Sequence, residues 1–164
     1  PSDGNTETVV SRYRPDGAGR VEALESFLAA ARSRLRVPIG IDVFGFNAWS
    51  RMSYLGQDIS RLARYVDVIS PMFYPSHFAR AFLPRLTYFE RSRVIYDHGT
   101  RRARGIAGGP LIRPYVQAFL IGPELEYERP EYFLYLQLQL EGTEEGLADG
   151  YTLWNASGRY YMLP

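Results

Sequence analysis

The first clear pattern in the chain is a helical repeat of apolar residues over residues 20–36. The apolar positions that share one helix face are Val21, Leu24, Leu28, Ala31 and Leu35. Glutamates lie near the start of this segment and arginines near its end, an order that complements the helix dipole. The spacing of three and four residues therefore predicts an amphipathic helix.

A strand pattern follows at once, in the segment VPIGIDVFGF over residues 37–46. Ile39, Ile41 and Val43 fall on one face, and positions 40, 42 and 44 fall on the other. Alternation with a period of two predicts a β-strand. Asp42 therefore lies on the face opposite these aliphatic residues, and we interpret it as an acidic residue that points inward.

Helix and strand patterns then alternate to the end of the chain. The predicted segments are a short helix over 57–65, a strand over 66–73, a helix over 88–106, a strand over 111–119, a helix over 130–146 and a strand over 149–155. Gly99 lies inside one predicted helix and Pro114 inside one predicted strand, where a proline is awkward. The leucines of 134–140 recur at period two, which favours a strand, but the flanking strands require a helical crossover there.

This order of helices and strands predicts an α/β fold with parallel (β/α) units. Right-handed crossovers place the carboxyl ends of all four predicted strands at one edge of the sheet, where functional residues of such folds collect. The four strand ends read FGFNAWSR, MFYPSHF, QAFLIGPE and WNASGRYY. All of them are rich in aromatic and polar side chains, so we expect a site at this edge.

The strand end DVISPMFYPSHF, residues 67–78, is the most unusual of the four. Pro71 and Pro75 cannot donate to a strand ladder and therefore end the pairing. Tyr74 and His77 follow directly, so the loop is expected to hold a phenol and an imidazole above the sheet edge. A loop histidine without a role is the alternative.

Composition limits the classes of function. The chain of 164 residues is long enough for one domain with a core, and its net charge of +1 provides no basic surface for nucleic acid. Cysteine is absent, which excludes disulfides and thiol chemistry. His98 is the only other histidine, in a predicted helix beside Asp97, so we expect a solvated pair there, no metal site and no cofactor. The sequence contains no run of about 18 apolar residues, so no membrane-spanning helix is predicted.

Five motifs in order carry a resemblance to a known family. They are PSDG at 1–4, IDVFGFNAWSR at 41–51, GQDISRLARYVDVISPMFYPSHF at 56–78, IRPYVQAF at 112–119 and ADGYTLWNASGRY at 148–160. Together they resemble the putative glycoside hydrolase domain family of bacterial extracytoplasmic proteins, which is similar to TIM-barrel glycosidases. The resemblance implies an extracytoplasmic or secreted protein, although the chain begins at Pro1 and carries no signal peptide.

The resemblance covers only the C-terminal half of a barrel. In the family, PSDG follows a strand resembling FDYIRFP, whose acid points into the barrel mouth, and that strand would end immediately before Pro1. We therefore expect one partial domain over residues 1–164, running from helix 4 through strand 8 of a TIM (β/α)8 barrel. A complete barrel has eight strands, so half of it and one catalytic carboxylate are expected to be missing from this chain.

Asp42 is the best candidate for a catalytic carboxyl group, because the strand alternation places it opposite Ile41 and Val43. Glycoside hydrolysis normally uses two carboxyl groups, of which one protonates the leaving oxygen and the other attacks or activates water. Asp42 is expected to point into the barrel in one of these roles. The alternative is a structural aspartate that pairs with an arginine such as Arg113.

Contacts with a carbohydrate substrate are expected at the same edge. The candidate residues are Asp3, Trp49, Tyr74, His77, Gln117, Trp154 and Asn155. The tryptophans would stack on sugars and the amides would bind sugar hydroxyls, with core packing and structural bridging as the alternatives. Glu124, Glu126 and Glu128 follow the third strand, and we expect a charged surface loop there rather than the second acid.

Three hypotheses for function remain open at this stage. The first is a glycoside hydrolase acting on a bacterial polysaccharide or cell-envelope glycan when the complete barrel is present. The second is a non-catalytic carbohydrate-binding half barrel. The third is a half barrel whose exposed sheet edges recruit a second copy or a separate N-terminal half, as unpaired strand edges tend to do.

Overall fold

The computed structural model describes residues 16–50 and 53–163, which contain four α-helices, five strands and five short 3-10 helices. The helices are α1 (Gly17–Arg34), α2 (Ile59–Leu62), α3 (Tyr88–Ala107) and α4 (Arg129–Glu145). The strands are β1 (Gly40–Phe44), β2 (Val68–Met72), β3 (Leu111–Ile112), β4 (Tyr115–Gln117) and β5 (Thr152–Trp154). Each predicted helix and strand is present at its predicted place.

All of these strands pair in parallel, in the order in which they occur along the chain. β1 pairs with β2, β2 with β3 and β4, and β4 with β5. The register places Asp42 beside Ser70, and Gln117 beside Trp154. Parallel neighbours joined by helical crossovers confirm the predicted α/β class.

The predicted strand over 111–119 is divided into β3 and β4 at Arg113–Pro114. Both pieces lie along the same side of β2, and Arg113 still donates its N–H to the carbonyl of Ile69 at 3.0 Å. Pro114 has no N–H to donate, so the ladder is interrupted at this position. Its carbonyl accepts from the N–H of Thr152 at 3.0 Å, which keeps β5 attached across the interruption.

Helix boundaries follow from local capping. Asp16 caps α1 by accepting from the N–H of Gly19 at 2.8 Å, so this helix begins before the predicted residue 20. Thr87 and Glu90 form a capping box at the start of α3, and Gly108 ends that helix in the left-handed conformation, with φ of 74°.

Gly99 is tolerated inside α3 because the helix packs closely against two aromatic rings. A Cβ atom at this position would lie 2.7 Å from the ring of Phe73 and from the ring of Trp49. Gly142 in α4 has the same role at a tighter contact, since a Cβ atom there would lie 2.1 Å from the carbonyl oxygen of Arg93.

The two faces of the sheet have different surroundings. Val43, Ile69 and Val116 point to one face and pack in the main core with residues of α3 and α4. The opposite face, which we call the open face, carries Asp42, Phe44, Ser70, Met72, Tyr115 and Trp154. Phe44 and Trp154 remain 45% and 44% exposed there, so the described residues leave part of this face uncovered.

The candidate substrate contact Asp3 lies outside the described residues. Within the described part of the chain, no helix is long and apolar enough to cross a membrane.

Candidate functional site

Asp42 lies in the middle of β1 on the open face, beside Ser70 of β2. Within residues 16–50 and 53–163, no hydrogen bond or ion pair reaches its carboxylate. Arg113, the partner considered for a structural aspartate, donates instead to the carbonyl of Tyr151 at 3.5 Å. Partial burial raises the pKa of the Asp42 carboxyl above its ordinary value.

Two tyrosines share the electrostatic environment of Asp42. Burial raises the pKa of Tyr74, and the charges of Tyr115 and Asp42 add to the effect. Burial also raises the pKa of Tyr115, again with a contribution from Asp42. Both phenols therefore stay protonated at neutral pH and can donate a hydrogen bond near the carboxylate.

Trp154 ends β5 as an exposed aromatic surface on the open face. Its ring contacts the ring of Tyr115 edge to face, with centroids 5.9 Å apart and an interplanar angle of 80°. This contact orients the indole while 44% of the residue stays exposed. The geometry is compatible with the stacking role expected for this residue.

His77 lies between two clefts at the carboxyl ends of the strands. The apolar cleft, of about 310 Å³, is bounded by Phe44, Phe46, Tyr54, Met72, Tyr74 and His77. The larger cleft, of about 700 Å³, is bounded by Ser76, His77, Arg80, Tyr88, Arg91 and Tyr127 among others. His77 is exposed, and its ring contacts Tyr74 edge to face at 5.3 Å between centroids.

Trp49 is packed beneath this region rather than presented on its surface. Its ring contacts Phe73, Phe78 and Phe82 edge to face at centroid distances of 5.7, 5.4 and 5.4 Å. It also lies against Gly99 of α3. These contacts correspond to core packing, the alternative considered for this residue.

Gln117 and Asn155 stand at strand ends as expected, but both are buried and hydrogen bonded within the chain. Gln117 accepts from Ser76 and donates to Glu124 and to the carbonyl of Phe119. Asn155 donates to the carbonyls of Ala118 and Arg159, at 2.7 and 2.8 Å, and accepts from Ser157. These side chains bridge loops, which is the structural role considered for Gln117.

Glu124 corrects the expectation of a charged surface loop. Glu126 and Glu128 are exposed, but Glu124 is only 2% exposed. Its carboxylate accepts from the hydroxyls of Tyr88 and Tyr135, from Nε2 of Gln117 at 2.8 Å and from the N–H of Ile121 at 3.1 Å. The donors come from α3, β4, α4 and the loop itself, so the local sequence GPELEYE does not distinguish Glu124 from its neighbours.

The pair Asp97–His98 lies on the surface of α3. Asp97 accepts from Nε of Arg101 at 2.6 Å, and Nε2 of His98 is 3.7 Å from its other oxygen. Across the described ranges, no group of three or more His, Cys, Asp or Glu residues is arranged to hold a metal ion.

Comparison with known proteins points to one family. A family model described as "Putative glycosyl hydrolase domain" matches residues 1–160. The curated proteins and the solved structures gave no match.

Proposed function

Because the chain belongs to the family of putative glycosyl hydrolase domains, we propose that it takes part in glycoside hydrolysis. The substrate is a bacterial polysaccharide or cell-envelope glycan, and the place of action is outside the cytoplasm. The observation that supports the reaction most directly is the Asp42 carboxylate, which is unpaired among the described residues and lies on the open face, where its charge acts on the phenols of Tyr74 and Tyr115.

The fold proposed for this role is the C-terminal half of a (β/α)8 barrel. α1 would be the fourth helix of the barrel, and β1, β2, β3 with β4, and β5 would form strands five to eight. The parallel strands in chain order support this assignment, and so does the partial exposure of the open face at Phe44 and Trp154. In a barrel of this kind the open face would line the interior, with the active site at the carboxyl ends of the strands.

Asp42 is proposed as one of the two carboxyl groups that flank the scissile bond. A general acid needs a raised pKa, and partial burial shifts the pKa of Asp42 in that direction. The phenols of Tyr74 and Tyr115 would donate to sugar or carboxylate oxygens nearby. Trp154 would provide a flat surface for a sugar ring, since its indole is exposed beside Tyr115.

The test of this proposal is the variant Asp42→Asn in the full-length natural protein, assayed for release of reducing sugar from a panel of cell-envelope polysaccharides. Loss of a positioned carboxyl group is expected to lower the rate by about 10²–10⁴-fold. Asp97→Asn is the matched control, because it makes the same chemical change on the surface of α3. Full activity of Asp42→Asn would rule out its catalytic role.

A non-catalytic carbohydrate-binding role is the second candidate. Asp42 is the only acidic residue in the five described strands. Glu124 is buried among four donors and is not available as a second catalytic acid in this conformation. Calorimetric titration beside the product assay separates the two roles, because glycan uptake without cleavage by the full-length protein would favour binding alone.

A further inference from the structure

A chain of hydrogen bonds runs from the buried Glu124 to the exposed His77. Nε2 of Gln117 donates to Oε2 of Glu124 at 2.8 Å, and Oε1 of Gln117 accepts from Oγ of Ser76 at 2.9 Å. Oγ of Ser76 lies 2.9 Å from Nδ1 of His77. These hydrogen bonds therefore join the loop after β4 to the loop after β2, and they end at His77, which lines both clefts.

The neighbours of Gln117 determine which end of its amide is oxygen. Nε2 faces the carboxylate of Glu124 and the carbonyl of Phe119, at 2.9 Å for the latter. The Phe119 carbonyl can only accept, and Oε2 of Glu124 already accepts from the backbone N–H of Ile121 at 3.1 Å, so both of these neighbours favour the NH₂ group of Gln117 at this end of the amide. Oε1 faces the backbone N–H of Ser76 at 3.3 Å, which is a donor. If the amide were reversed, its oxygen would face the oxygens of Glu124 and Phe119, and its NH₂ group would face the N–H of Ser76.

The orientation of this amide determines where His77 carries its proton. A serine hydroxyl has one hydrogen, and Ser76 gives it to Oε1 of Gln117. Toward Nδ1 of His77 the same oxygen can only accept, so Nδ1 must carry a hydrogen. A neutral imidazole with Nδ1 protonated has its lone pair on Nε2.

We propose that Glu124, Gln117 and Ser76 are positioning residues that hold His77 in the Nδ1–H tautomer and present Nε2 as a hydrogen-bond acceptor to a hydroxyl-bearing ligand. The ligand class rests on the proposed function, because sugars offer hydroxyl donors. The tautomer does not rest on the proposed function, because it follows from hydrogen bonds within the protein itself. Failure of one can therefore be told apart from failure of the other.

The experiment is a two-bond ¹H–¹⁵N NMR correlation of the histidine-labelled chain, recorded at a pH where imidazole is neutral. The chain has two histidines, so His98 on α3 serves as an internal reference, and His98→Gln assigns the signals. The expected result is a single tautomer of His77 with Nδ1 protonated. A ring protonated at Nε2, or an averaged mixture of the two tautomers, would overturn the proposal. With a reversed Gln117 amide, Ser76 would accept from Gln117 and donate to Nδ1 of His77, which would leave the ring hydrogen on Nε2.

Two variants test the links separately. Ser76→Ala is expected to abolish the single tautomer of His77 and leave His98 unchanged, whereas Ser33→Ala, which removes an exposed hydroxyl of α1, should change neither. Glu124→Gln is expected to raise the share of the other tautomer, because the Phe119 carbonyl is then the only neighbour of Nε2 of Gln117 that can only accept. An unchanged His77 spectrum in folded Glu124→Gln would remove Glu124 from the proposal. If that variant does not fold, the wild-type tautomer still tests the amide orientation.

Discussion

Replacing Gly99 by alanine tests the packing that supports the candidate site from below. The added methyl group would lie 2.7 Å from the rings of Phe73 and Trp49, well inside ordinary carbon–carbon contact. Phe73 is completely buried and contacts Tyr96 edge to face, so its ring has no open space to move into. Overpacking of this kind costs about 1–3 kcal/mol, while the better helix propensity of alanine returns up to about 1 kcal/mol.

Gly105→Ala is the matched control, because it makes the same substitution in the same helix where nothing lies within 4 Å of the new Cβ atom. The difference between the two free energies of unfolding isolates the packing cost, and we expect about 1–3 kcal/mol in favour of Gly105→Ala. For a chain of this length each kcal/mol corresponds to a shift in Tm of about 2–4 °C. Urea and thermal unfolding followed by circular dichroism give both values. Equal stability of the two variants would refute the contact of Gly99 with the aromatic rings.

Three further predictions concern stability, binding and assembly. The hydrogen bonds of Asp67 to Arg32 and to the N–H of Ile39, at 2.5 and 2.7 Å, lower the pKa of its carboxyl. The stability they contribute is therefore present above the unfolded pKa and is lost as pH falls through the folded one. The stability difference between wild type and Asp67→Asn should shrink below about pH 4, and a constant difference from pH 7 to pH 3 would contradict this. Trp154→Ala should weaken glycan binding in a calorimetric titration by about 1–3 kcal/mol if the indole stacks on a sugar, with Tyr54→Ala in the apolar cleft for comparison. Sedimentation of the isolated chain should show self-association through its uncovered sheet, and a dilute monomer with native circular dichroism would count against assembly.

The regular elements of the fold could be predicted from the sequence because their signals are local. The apolar spacing of α1 and the alternation of β1 follow from the geometry of one element at a time. The division of the strand at Pro114 was visible as an awkward residue, but its outcome depends on β5, whose Thr152 bonds to the Pro114 carbonyl across the sheet. Gly99 likewise weakened the helix prediction, although the reason for it lies in two rings, Phe73 and Trp49, that come from the ends of the two preceding strands.

The site was harder to predict because a side chain at a strand end can be either buried in the core or exposed to solvent. Trp154 and Trp49 both follow strands as aromatic residues, yet one is exposed and the other is packed among phenylalanines. No periodicity distinguishes them, since their surroundings come from different loops. Glu124 was missed for the same reason, because its partners Tyr88 and Tyr135 belong to helices on either side of its loop.

The polar residues of the candidate site form a buried layer and an exposed layer. The buried layer, which contains Gln117, Glu124 and Asn155, has hydrogen bonds from several loops, and burial of such groups is tolerated only when they are bonded in this way. We propose that the exposed residues, Asp42 on β1 and His77 in the loop after β2, contact the ligand. Because Gln117 joins the loop after β2 to the loop after β4, we expect a change in the buried layer to alter the position of His77. We therefore infer that Gln117, through Ser76, helps to hold His77 in position for that contact.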